Sequence, residues 1–140
     1  MEKSQIVGIT ERDWGRTDEI IDELTNNKKV EAIYLFGSYA RGNIKHFSDI
    51  DICVVTERNI SKGVKEEILS NSSKKIDISI FWDLPLSIRF RVIKEGKLLY
   101  KRDALKLQRV KVDTLKAYLD FQPIIKAYCY RILGIGGWNV

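Results

Sequence analysis
Gly37-Ser38 closes the apolar run Val30–Phe36, and after ten intervening residues the chain reads Asp49-Ile50-Asp51. A glycine and a serine at the end of a strand free backbone N–H groups and a hydroxyl to hold phosphate oxygens. Two carboxylates one residue apart on a strand point to the same side, because side chains alternate with a period of two, so both can reach hard divalent cations at once. Together these residues describe a site for phosphate and magnesium. Gly37 has no Cβ to keep a phosphate from its backbone, and Ser38 offers both its N–H and its hydroxyl. Arg41, about one helical turn later, adds a fixed positive charge. No Gly-Lys-Ser/Thr follows, so this is not a Walker loop, and no dinucleotide fingerprint is present.

Attack of a hydroxyl on the α-phosphate of a nucleoside triphosphate builds negative charge. Two magnesium ions, about 3.5 to 4 Å apart, stabilise that charge while aligning nucleophile and leaving pyrophosphate. A third carboxylate is available in Lys75-Ile-Asp-Ile-Ser-Ile-Phe81, where Ile76, Ile78 and Ile80 face one way and Asp77 and Ser79 the other. If that strand neighbours the one bearing Asp49 and Asp51, Asp77 either completes the metal site or accepts the hydroxyl proton.

The elements that must position these groups follow from periodicity and caps. Thr17 to Asn27 predicts a short amphipathic helix, with Thr17 as cap and Ile20, Ile21 and Leu24 on one face. Val30–Phe36 and Ile50–Thr56 predict strands, the second buried on both faces at its far end. Ser38–Arg41 predicts a short helix facing the ligand, and Gly42–Ser48 a polar loop. A charged helix over about Ser61–Leu69, a helix from Pro85 to Lys94, a turn at Gly96 and a short element at Leu98–Tyr100 follow. Asp103 to Leu119 predicts another helix capped by Asp103; Asp120-Phe-Gln-Pro123 is expected to break it before a last helix through Leu133 and a loose tail from Gly134.

At 140 residues the chain is expected to be one domain with a real core, a body over about 17–100 and a helical extension over about 103–133. Cys53 and Cys129 sit in apolar stretches without metal-ligand spacing, so they read as small buried hydrophobes in a reducing compartment. There is no signal-like N-terminus and no apolar run of membrane-spanning length, which leads us to expect a cytoplasmic location. Charge is uneven: Leu86–Arg131 carries twelve Lys and Arg against four Asp and Glu, and the rest of the chain is net acidic. A solvated helical face accounts for this better than a dedicated nucleic-acid patch.

Several residues have plain structural readings. His46 and Ser48 read as loop and turn residues, and Arg41 can equally form a structural ion pair. Trp14, Trp82 and Trp138 suggest packing, although Trp82, just after the third strand, could border the nucleotide. Tyr118, Tyr128 and Tyr130 read as core or interface, able to meet a partner or a second copy of the chain in a homo-oligomer.

The run Gly37-Ser38-Tyr39-Ala40-Arg41-Gly42, with Ser48-Asp49-Ile50-Asp51 after it, resembles the signature of the DNA polymerase β-like nucleotidyltransferases, most closely the minimal nucleotidyltransferases (MNT). Lys75-Ile76-Asp77 matches the place of that family's third aspartate. Glu95-Gly96-Lys97-Leu98-Leu99-Tyr100 and Tyr118-Leu119-Asp120 with Pro123 and Tyr128 are similar too, so the resemblance covers about Val30 to Leu133. It implies an α/β fold with a mixed sheet, flanking helices and C-terminal helices. It also implies two Mg2+ ions on Asp49, Asp51 and Asp77, and ATP held at Gly37, Ser38 and Arg41. Members of this branch often act as antitoxins by transferring AMP to a tyrosine of a HEPN-domain ribonuclease toxin, which makes such a toxin the expected partner. Nucleotidyl transfer to RNA or a small molecule, and a non-catalytic module that blocks a partner, are the competing readings.

Overall fold
The computed structural model describes residues 11–37 and 50–134. The elements are α1 (Glu11–Thr25), β1 (Val30–Phe36), β2 (Ile50–Thr56), α2 (Lys62–Leu69), β3 (Ile76–Ile80), a 3-10 turn (Phe81–Asp83), α3 (Leu86–Glu95), β4 (Lys97–Lys101) and α4 (Ala104–Leu133). Among them one four-stranded sheet runs β3-β2-β1-β4. β1 is antiparallel to both β2 and β4, whereas β2 and β3 are parallel, so the sheet is mixed as expected. Parallel neighbours need a crossover, and α2 supplies it.

Strand alternation sorts the side chains into two layers. Ile33, Leu35, Ile50, Ile52, Val54 and the three isoleucines of β3 pack with Ile21 and Leu24 of α1 and Ile68 of α2. On the opposite face Ala32, Tyr34, Cys53 and Val55 pack with Phe81, Val92 of α3 and Leu107 of α4. Each fully buried aliphatic side chain contributes roughly 1.5–3 kcal/mol, so both layers hold the sheet firmly. Gly96 lets α3 turn directly into β4: a Cβ there would run into the Val92 carbonyl and sit 3.2 Å from the Tyr34 ring.

Arg102, just past β4, ties the sheet to α1. Its Nε donates to the Val30 carbonyl at 3.0 Å, and Nη2 donates to the Thr25 and Asn27 carbonyls at 3.0 Å each. A cation at a helix C-terminus is also favoured by the dipole. Because the side chain is solvent-exposed, Arg102→Ala is expected to cost about 1–2 kcal/mol, read as a lowered urea midpoint. Arg102→Lys should recover only part, since an ammonium cannot reproduce the planar fork.

Two expectations need correction here. Thr17 does not cap a helix: α1 begins at Glu11, and Thr17 is buried inside it. A threonine before acidic residues looks the same in sequence whether it opens a helix or packs within one. Nor does Pro123 break the last helix, because α4 runs unbroken through it. Proline leaves the carbonyl four residues back without a donor, and here that carbonyl belongs to the exposed Leu119, where water can serve it. The Gln122 side chain also bridges to the Tyr118 hydroxyl at 2.9 Å, stapling the turn that holds the proline. The expected cap at Asp103 is present, its carboxylate accepting from the N–H groups of Leu105 and Lys106. The expected helix over Ser38–Arg41, the loop over Gly42–Ser48 and all but the first residue of the tail lie outside the described residues. No helix among the described residues is long and apolar enough to cross a membrane.

Candidate functional site
The site is built at one end of the sheet, where β1 stops and β2 and β3 begin. Gly37 follows β1 with φ +77, in the left-handed region that L side chains rarely adopt. A Cβ on Gly37 would collide with Oδ2 of Asp51 and lie 3.3 Å from its Cγ. The turn thus passes its bare backbone right against a carboxylate, an approach that a side chain at this position would not allow.

Asp51 is the register partner of Phe36 on β1 and of Asp77 on β3. Neighbouring strands lie about 4.8 Å apart, so the carboxylates of Asp51 and Asp77 stand side by side on one face. Asp51 is half-buried and Asp77 exposed. They share that face with Tyr34, Cys53 and Val55, the face on which α3 and α4 pack. The helices carrying the basic surplus therefore lie on the same side of the sheet as the acidic pair.

Asp49, Ser38 and Arg41, the other sequence-predicted site residues, lie outside the described residues, as do His46 and Ser48. Among the described residues no group of three carboxylate, histidine or cysteine side chains converges. Asp51 and Asp77 supply hard oxygen donors at adjacent register positions, and the bare Gly37 backbone packs directly against the Asp51 carboxylate. That donor set fits Mg2+, which takes one or two carboxylates plus phosphate oxygens and water.

Behind this end of the sheet Tyr34 and Cys53 are register partners. Burial pushes the Cys53 thiol up to about 12. Burial, and secondarily the neighbouring Cys53, raise the Tyr34 phenol to about 12. Both stay protonated at neutral pH, so neither is a nucleophile. Trp82 does not border the site. Its indole N–H donates to the Thr56 carbonyl at 2.7 Å, and Arg58 lies over its ring at 4.6 Å, at the far end of β2. Five strand residues, about 16 Å, separate that end from Asp51.

The helix expected from Pro85 to Lys94 is present as α3, but sequence reading did not place its residues near the site. Ile88, Arg91 and Glu95 join Phe36 and Gly37, the two β1-end residues next to Asp51, around a cavity. Their spacing of three and four residues was the available signal, but which face of α3 meets the sheet was not visible in it.

The family model for polymerase beta nucleotidyltransferases matches residues 18–105. A candidate protein adenylyltransferase of Methanocaldococcus jannaschii is 37% identical over 98 residues, covering 70% of this chain and 77% of that protein. Among solved structures, a toxin–antitoxin complex with AMP-PNP contains a chain similar at TM-score 0.67 and 23% identity, with 85% of this chain and 97% of that one covered. A complex of a tri-AMPylated Shewanella oneidensis HEPN toxin with its MNT antitoxin is similar at TM-score 0.65 and 22% identity, covering 86% and 98%. At such identities these two likenesses show a common fold. With more than half its length inside the family model and a relative of this identity and coverage, the chain belongs to the polymerase beta nucleotidyltransferase family.

Proposed function
We propose that this nucleotidyltransferase moves AMP from ATP to a tyrosine of a HEPN-type toxin and so acts as its antitoxin. The observation that carries the reading is the pairing of Asp51 with Asp77 beneath the bare Gly37 turn. Asp49, Asp51 and Asp77 would hold two Mg2+ ions, with Gly37, Ser38 and Arg41 around the triphosphate. Ions held by these residues would supply charge neutralisation on the phosphates and alignment of the acceptor with the leaving group. The acceptor's oxygen forms a bond to the α-phosphorus as the bond to the β-phosphate oxygen breaks, and pyrophosphate departs. The phenol proton passes to a carboxylate, for which the exposed Asp77 is suited.

Two things favour a protein acceptor. The 37% identical relative carries a protein adenylyltransferase name, and a fold neighbour is seen with its AMPylated toxin. The row on α4 that begins with Leu107, Val110, Thr114 and Tyr118, packed toward the domain, continues as Phe121, Tyr128 and Ile132, which are exposed. An unpartnered apolar row of that length suits a protein surface. Most of the described Lys and Arg side chains of α3 and α4, by contrast, are exposed and spread along the helices, which gives little support to an RNA acceptor.

Incubation with labelled ATP, magnesium and a HEPN protein encoded beside this chain is expected to label that protein. Absence of label overturns the reading. Extension of an RNA 3′ end that falls steeply with salt would favour the nucleic-acid alternative. Neutralisation of the partner that survives Asp51→Asn would mark a module that only binds.

A further inference from the structure
Ile88, Arg91 and Glu95 stand three and four residues apart along α3, so they share one helix face, and that face closes over Phe36 and Gly37. Between them lies a cavity of about 140 Å3. That size is comparable to an engineered apolar cavity that holds a benzene ring. Phe36 is the register partner of Asp51, and such antiparallel partners carry Cβ atoms about 4.5–5.5 Å apart, so two residues lining the cavity, Phe36 and Gly37, are immediate neighbours of Asp51. At its rim Arg91 Nε and Glu95 Oε2 are 4.0 Å apart, both well exposed. So loose a pair leaves the donors of one and the acceptors of the other available to a ligand.

We propose that this cavity receives the base of the nucleotide and is matched to a purine with an exocyclic amine. The inference rests on the nucleotidyl-transfer reading of the adjoining site. A terminal phosphate would gain nothing from Phe36 or Ile88 and would be repelled by the Glu95 carboxylate. A flat base offers two apolar faces to Phe36 and Ile88, an amine to donate to Glu95, and ring nitrogens to accept from the Arg91 guanidinium. Its place beside Asp51 also puts the base within one nucleoside's reach of the reacting phosphate.

The test measures binding of a non-hydrolysable ATP analogue and of inorganic tripolyphosphate, each with magnesium, to the wild-type protein and to Arg91→Ala and Glu95→Ala. Both positions are exposed on α3, so the variants should fold. The ATP analogue is expected to bind each variant about tenfold more weakly, with tripolyphosphate affinity unchanged. Equal losses for both ligands would overturn the base assignment and place Arg91 on the phosphates. Unchanged affinity for the ATP analogue would also overturn it, leaving the nucleotidyl reading intact. Wild-type protein that takes up neither ligand would overturn that reading and the cavity's role with it.

Discussion

Asp51→Asn is expected to lower the rate of labelled AMP transfer by at least about a thousandfold, with thermal stability little changed. The two expectations come from different properties of one side chain. Asparagine has nearly the same shape, so the half-buried position keeps its packing and its place opposite Phe36 and Asp77. What it loses is the negative charge, and a neutral amide is a poor ligand for Mg2+ at the position between the other two proposed carboxylate ligands, Asp49 and Asp77. A thousandfold loss is about 4 kcal/mol of transition-state stabilisation, more than an ordinary surface substitution can produce. Asp77→Asn is expected to cost less at saturating magnesium if its main part is to take the proton, because solvent can substitute in part for a general base. Initial rates against magnesium concentration separate the two: Asp51→Asn should stay inactive at any concentration reached. Activity within tenfold of wild type would remove Asp51 from the site.

How much of this was legible beforehand depends on what each signal measures. Strand alternation is a local property, so the periods of Ile50–Thr56 and Lys75–Phe81 gave the faces of Asp51 and Asp77 directly. That these two strands are parallel neighbours in register is non-local and needed the fold. Thr17 resembles a cap in sequence because capping and burial draw on the same hydroxyl and methyl chemistry; only the course of the chain before it decides. The cost of Pro123 is visible in sequence and predicts a break, whereas the solvent exposure of Leu119 that relieves it is not visible there. Trp82 follows the third strand in sequence, but a parallel strand that starts at the site ends far from it, and proximity along the chain misled. The α3 cavity was hidden for the converse reason: the α3 residues that line it lie more than fifty positions from Gly37, which lines it too.

Gly37→Ala is expected to reduce AMP transfer by about a hundredfold, and the reason is geometric. An alanine at φ +77 costs about 1 kcal/mol or more of backbone strain, which should appear as a lowered melting temperature. The added methyl also has nowhere to go, since the atom in its way is Oδ2 of Asp51. Either the turn lifts away from β2 or the carboxylate swings aside, and a misplacement of about 1 Å is enough for a loss of that size. The two routes are separable by combining the substitution with Asp51→Asn. If the methyl acts by displacing the carboxylate, Gly37→Ala on the Asp51→Asn background should cost almost nothing further in rate, because the group it displaces has already lost its charge. If the turn itself holds the triphosphate through its backbone N–H groups, the penalties should instead multiply, and binding of tripolyphosphate should fall in Gly37→Ala even where Asp51→Asn leaves it unchanged. A fully active Gly37→Ala protein would show that the close approach of this turn to Asp51 has no part in the chemistry.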